Sequence, residues 1–325
     1  MLSRRTFAAS IAALVTAPLL SACGGDSDAA TGTGGSDTKK VGNINISPDQ
    51  NRIRGKKVDS IAALLPADVR ERGTLKLGQS ADASPPLGFY ATDDKTRIGS
   101  EIDLATLVAD TLGLKLDNEE VSWENLFVGL DSGKFDAVFS NVTVTEERKE
   151  KYDFATYRLD NIAFEAKKGV DWTIKEPKDV AGKTIAVSSG TNQEKILLDW
   201  SKQDEAAGLD PVDVKYYQKD TDYYLALQSG RIDAYLGPSP SAAYHVASAG
   251  QTVIVGTLSG AGDKLQGKIA ATTKKGSGLV DAYAAAINHV IENGTYAEVL
   301  KRWGLSSEAV AKSEINPPGL PKTES

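Results

Sequence analysis

Apolar and polar positions divide the 325-residue chain into three regimes. Phe7 to Leu20 is predominantly apolar. Gly24 to Lys57 is rich in Gly, Ser, Asp, Thr and Asn without an apolar period, which predicts a flexible tether. Beyond it, strand-like and helix-like periods take turns. Thr74–Gly78, Phe135–Phe139 and Thr184–Ser188 read as short buried strands. Leu104, Val108 and Leu112 recur at helical spacing, and Gly113 ends that helix. Leu279, Tyr283, Ile287 and Ile291 mark a longer helix that Gly294 stops. Thr191 with Glu194, and Thr295 with Glu298, have the spacing of helix-opening capping boxes. Alternating strands and helices predict α/β layers.

One pattern occurs twice. Leu130-Asp-Ser-Gly-Lys-Phe-Asp136-Ala returns as Leu227-Gln-Ser-Gly-Arg-Ile-Asp233-Ala. Each copy reads as a helix end, a glycine cap and a buried strand, so two lobes built on one unit are expected. Ligands of open α/β sheets bind beyond the carboxyl ends of the strands. Asn141 and Pro238, each five residues past the repeated aspartate, should therefore face a common cleft.

The chain's beginning changes the picture of where the protein works. Ser3-Arg4-Arg5-Thr6-Phe7 resembles a twin-arginine export signal, and the apolar run is shorter than the roughly 20 residues a stable span needs. An ordinary secretory signal with two basic residues would read similarly. Leu20-Ser21-Ala22-Cys23-Gly24 resembles a lipobox, in which Cys23 becomes the lipidated N-terminus. Cys23 is the only cysteine, so no disulfide staples the exported domain and a core of sufficient size must hold it. The net charge of −7, spread along the chain, argues against nucleic acid as a partner.

From Gly73 to Leu305 the sequence resembles the family 3 solute-binding proteins, the polar-amino-acid receptors of ABC importers. The stretch Trp123 to Phe154 carries most of the likeness, with Thr145-Glu-Glu-Arg148-Lys. Ser189-Gly190-Thr191-Asn192-Gln193 and Gly294-Thr-Tyr-Ala-Glu-Val-Leu-Lys-Arg-Trp303 agree in order and spacing. Gly99-Ser-Glu101-Ile-Asp103-Leu agrees in part. The resemblance implies an α/β, two-lobe, periplasmic-binding-protein-like fold of type II, its lobes joined by two hinge strands near Tyr157–Asn161 and Lys264–Lys268. The expected organisation is a signal peptide at 1–22, a linker at 23–60, lobe 1 at 69–157 plus 268–305, lobe 2 at 162–263 and an irregular tail at 306–325.

The same resemblance implies the site. Arg148, expected in the first turn of a helix starting near Thr145, would grip a ligand carboxylate, for which a guanidinium is suited by its paired donors. Asn141 and Thr143 would touch the ligand through hydroxyl or backbone groups, and Trp123 would form a platform against it. In lobe 2, Ser189, Gly190, Thr191 and Gln193 precede or open a capped helix whose free N–H groups favour an anion. Two positions depart from the family: Pro238 stands where an aspartate usually receives the ligand ammonium, and Ser84 where an aromatic is common. Asp82, Glu124 and Asp222 are candidate substitutes, and a ligand with a substituted or ring nitrogen is one expectation.

The function expected is that of a monomeric, lipid-anchored, extracytoplasmic receptor that captures a small amino-acid-like ligand by lobe closure and meets the membrane subunits of an ABC transporter. No cofactor or metal is implied. Two other readings bear on it. A cleft enzyme of the same fold is one, but His245 and His289 both lie in helical runs, and no nucleophile–base motif is present. A sensor module is the other, and this chain encodes no signalling domain for it.

Overall fold

The computed structural model describes residues 40–322. The signal-like segment and Cys23 lie outside the described residues.

Residues 40–58 form a strap along lobe 1. Two two-residue strands, β1 (Lys40–Val41) and β2 (Ile44–Asn45), pair antiparallel. Ile44, Ile46 and Ile53 pack against the lobe 1 core, and Arg52 pairs with the buried Asp103. Arg54 donates to both oxygens of Asp110 at 2.7 and 2.6 Å. The tether expected to run to residue 60 therefore gives way to docked chain by residue 44, because isoleucines spaced among polar residues find an apolar surface.

Two short helices, α1 (Asp59–Ala62) and α2 (Ala67–Arg72), lead into strand β3 (Thr74–Ser80). A small hairpin follows, β4 (Phe89–Tyr90) with β5 (Arg97–Ile98). Helix α3 (Ser100–Leu112) buries Leu104, Val108 and Leu112, and ends at left-handed Gly113. Strand β6 (Lys115–Val121) pairs parallel with β3. Helix α4 (Trp123–Ser132) leads to β7, which spans only Ala137–Val138 rather than the five residues expected. Strand β8 (Tyr152–Lys167) pairs with lobe 1 up to Asp160 and with lobe 2 from Asn161 onward.

Lobe 2 then runs β9 (Thr184–Val187), α5 (Asn192–Ala206), β10 (Asp213–Tyr216), α6 (Asp220–Gln228), β11 (Ala234–Pro238), α7 (Ser239–Ala249) and β12 (Thr252–Ser259). The chain returns between Ser259 and Gly267 into β13 (Gly267–Lys274), and α8 (Val280–Glu292) and α9 (Thr295–Arg302) complete lobe 1. The strand order is β10-β9-β11-β8-β13-β7-β3-β6, with β12 also on β8. Separate hydrophobic clusters fill the two lobes, one around Leu75, Leu107 and Tyr283, the other around Phe164, Ile185 and Leu236.

The repeated octapeptides make the same bonds. Asp136 N donates to Lys76 O, and Lys76 N donates back to Asp136 Oδ2, both at 2.8 Å. Asp233 and Thr184 exchange the equivalent pair, again at 2.8 Å each. In each copy the aspartate ties the end of one helix to the start of the neighbouring strand.

Two local expectations need correction. Arg148 opens a three-residue 3-10 turn, Arg148–Glu150, and not an α-helix. Thr295 is the first residue of α9, and left-handed Gly294 holds the cap position. The Thr295 hydroxyl turns back to Asn293 Oδ1 at 2.7 Å, so no capping box forms there. The tail beyond residue 305 is irregular but pinned. Asn316 N donates to Phe154 O at 3.0 Å, Leu320 N to Val144 O at 3.1 Å, and Glu146 N to Leu320 O at 2.9 Å. The Leu320 side chain, 5% exposed, belongs to the lobe 2 core. A Cβ on Gly319 would overlap the Val144 carbonyl, so only glycine permits that approach.

Candidate functional site

The cleft between the lobes holds an inner cavity of about 100 Å³. Lobe 1 lines it with Ser80, Asp82, Ser84, Leu87, Trp123, Ser140 and Asn141. Lobe 2 contributes Ser188, Thr191, Asn192, Gln193, Gln218, Tyr223, Tyr235 and Pro238. Asn141 and Pro238 do face one space, as their place after the repeated aspartates predicts. Six of the nine candidate ligand residues line this cavity: Ser84, Trp123, Asn141, Thr191, Gln193 and Pro238. Arg148, Thr143 and Ser189 do not.

For Thr143 the hydroxyl half of the expectation needs a correction. Its side chain is fully buried, and Oγ1 donates to Asp160 Oδ2 at 2.7 Å. The hydroxyl is spent inside the hinge and does not reach the cavity. Ser189 lies on the turn before α5 and borders neither the inner cavity nor the groove outside it.

Arg148 lines the outer groove, which holds about 840 Å³ and shares Thr191 and Asn192 with the inner cavity. Its Nη1 donates to the Thr143 carbonyl and its Nη2 to the Gly190 carbonyl across the lobes, each at 3.0 Å. The guanidinium carbon lies 5.4 Å from the Trp123 ring centre and 5.3 Å from that of Phe127, within the range of cation–π attraction. Trp123 Nε1 also approaches Gly190 O, at 3.4 Å. Burial pulls the Arg148 pKa down to about 10, opposed by Asp160 and Glu147. It stays charged at neutral pH.

The start of α5 is built to hold an anion. The Thr191 hydroxyl accepts from Glu194 N at 3.2 Å, half of the expected box. The Glu194 carboxylate instead accepts from Gly190 N at 2.6 Å, because left-handed Gly190 turns that N–H toward the helix. The N–H groups of Asn192 and Gln193 have no helical acceptor, as expected for a first turn. Gln193 is 5% exposed, and its Oε1 has no partner among the described residues.

Beneath the cavity lies a charged layer that the sequence reading missed. Arg158 is fully buried and pairs with Glu308, with Glu101 at 3.5 Å, and with Asn141 Oδ1. Burial opposes its charge, but Glu308 and Glu101 outweigh that and raise its pKa. Asp160, 1% exposed, accepts from Thr143 of lobe 1 and from Asn192 Nδ2 of lobe 2, the latter at 3.1 Å. Burial lifts its carboxyl to about 6, against the Thr143 hydrogen bond and Arg158. The available signal was a charged pair, Arg158 and Asp160, at the middle of the long strand that crosses between the lobes. The arrangement offers hydroxyls, an amide acceptor, a helix N-terminus and a carboxylate around an enclosed space. No group of three or more potential metal ligands occurs among the described residues.

The comparisons fit this geometry. The family profile described as bacterial extracellular solute-binding proteins, family 3, matches residues 75–306. The L-cystine-binding protein TcyJ of Escherichia coli strain K12 is 34% identical over 236 residues, 72% of this chain and 84% of that protein. The arginine-binding protein ArgT of Corynebacterium glutamicum is 29% identical over 268 residues, covering 80% of this chain and 83% of that protein. A crystal structure of a mutant of ArgBP from T. maritima superposes with a TM-score of 0.62 at 28% identity, over 73% of this chain and 97% of that one. Relatives named for binding support a receptor rather than the enzyme alternative. With the matched profile spanning both lobes and the cleft between them, the chain belongs to the bacterial extracellular solute-binding proteins, family 3.

Proposed function

We propose that this protein captures a small amino-acid-like ligand between its lobes and delivers it to an ABC importer. The observation that carries this is the cavity whose walls come from both lobes, with the α5 N-terminus on one side and Arg148 spanning to Gly190 beside it. A ligand that touches both walls favours the closed arrangement over the open one, because only closure makes both sets of contacts. The ligand carboxylate is placed at the free N–H groups of α5, with Arg148 alongside. Asn141, Trp123, Ser84, Thr191, Gln193 and Pro238 surround the remainder.

The protein is extracytoplasmic, held to the cell membrane by a lipid on Cys23, acts as a monomer and has no nucleic-acid partner. Among the described residues no helix is long and apolar enough to cross a membrane. Feeding cells a lipid analogue tests the anchor: Cys23 takes the label, and Cys23→Ser releases the protein to the medium.

The ligand reading is tested by thermal shift and calorimetry of the purified protein against the common amino acids, L-cystine and L-arginine. A ligand at a hundred times its Kd adds about 2.7 kcal/mol of stability. The expected result is a shift with at least one zwitterion and its loss in Arg148→Ala. N-methylated and cyclic zwitterions and opine-like conjugates complete the panel, and no shift with any member of it overturns the reading.

A further inference from the structure

We propose that Asp82 of lobe 1 receives the cationic nitrogen of the ligand, the task that the residue at Pro238 of lobe 2 cannot perform. The assignment rests on the ligand reading above and specifies how that ligand is oriented.

A buried ammonium needs a counter-charge and acceptors. Pro238 lines the cavity but has neither charge nor N–H. Of the three carboxylates that the sequence left as substitutes, Glu124 and Asp222 do not line the cavity, and Asp82 does. Asp82 is the only Asp or Glu among the lining residues, and no Lys, Arg or His accompanies it. Its backbone N–H is engaged with Ser80 Oγ at 3.2 Å, while its carboxylate has no hydrogen-bond or ion-pair partner among the described residues. Asp220 of lobe 2 is already accepting from the hydroxyl of the lining residue Ser84 at 3.3 Å.

A second residue of the cavity wall carries an unused acceptor. Gln193 lines the cavity, its Oε1 is buried without a partner among the described residues, and a buried unpaired acceptor is costly unless something donates to it. Two unfilled acceptors and no basic lining group describe a space complementary to a donor-bearing cation. The ligand class is thus a zwitterion with its carboxylate on the α5 side and its positive nitrogen toward the loop after β3. Its charged nitrogen engages lobe 1, so lobe 2 holds the anionic end.

The test pairs one variant with one chemical change. For the zwitterion that binds best in the panel above, affinities are measured for it and for its des-amino analogue, on the wild type and on Asp82→Asn. Asp82 is only partly buried and its carboxylate has no partner among the described residues, so the variant should fold, which its unliganded melting curve checks. The expected result is a loss of about tenfold or more for the zwitterion in Asp82→Asn, with the des-amino analogue binding both proteins within about twofold. Equal losses for both ligands, or no loss for the zwitterion, overturn the assignment and leave the amino-acid reading standing. If no zwitterion binds the wild type, the amino-acid reading fails and takes this assignment with it.

Discussion

The Arg148 guanidinium reaches from lobe 1 to the Gly190 carbonyl of lobe 2 at 3.0 Å, while its other arm holds Thr143 of its own lobe at the same distance. A planar fork with fixed donors does this, and an ammonium on a flexible stem does not. Arg148→Lys should therefore fail to preserve binding although it keeps the charge. Calorimetry should show a loss of about tenfold or more with either Arg148→Lys or Arg148→Ala. Wild-type affinity in Arg148→Lys would show that charge alone suffices.

Asp160 gives a pH dependence of definite sign. Burial raises its carboxyl to about 6 from an ordinary 3.8, so the folded protein holds that proton more tightly than the unfolded chain. The associated stability is complete below about pH 4 and is lost as the pH rises through about 6. Asp160→Asn removes the titration and keeps an acceptor for Thr143. Between pH 4 and pH 7 the variant should gain on the wild type by on the order of 1–3 kcal/mol in denaturant unfolding. A difference that stays constant with pH would show that Asp160 titrates normally.

Gly260 faces the same carboxylate, and a Cβ there would overlap Asp160 Oδ2. Gly260→Ala must push the acid off Thr143 or Asn192. A destabilisation of about 1–3 kcal/mol is expected from overpacking, with weaker ligand binding because Asn192 opens α5. Gly250→Ala, at an αL helix cap with open space around it, carries its own backbone strain of about 1–2 kcal/mol, so ligand binding, which it should leave unchanged, is what separates it from Gly260→Ala.

Leu320 joins the tail to the lobe 2 core while its backbone pairs with Val144 and Glu146. Leu320→Ala should cost about 2–3 kcal/mol by thermal unfolding, the usual range for a buried leucine. Deleting residues 313–322 should cost more and also weaken ligand binding, because Thr145, whose hydroxyl accepts from Arg148 N at 3.0 Å, loses its neighbour strand. Unchanged affinity in the deletion would separate the tail from the site.

Periodicity and the repeated octapeptide made the alternation of elements, the two copies and the shared cleft legible, since each depends on local pattern. Asn141 and Pro238 were found that way. The misses share a different cause. Ile44, Ile46, Ile53 and Leu320 are apolar positions without a period, and they become core only because a distant surface accepts them. Thr143 reads as a ligand residue from its motif, yet the acid that claims its hydroxyl, Asp160, lies seventeen positions on. Asp82 was legible as a carboxylate but not as the one that faces the cavity, which depends on how the loop after β3 is turned.

The path of the chain through the two lobes has a consequence for how the molecule is assembled. Residues 162–261 supply the lobe 2 core except for Leu320, whereas the lobe 1 core joins residues 65–157 to residues 269–310. Lobe 2 is thus a nearly self-sufficient folding unit made of neighbours in sequence. Lobe 1 must close a loop that contains all of lobe 2 before its own interior is complete, and long loops are slow to close. The expected order is lobe 2 first, lobe 1 around it, and Leu320 last, so that the binding segment at Val144–Arg148 becomes rigid only at the final step of folding.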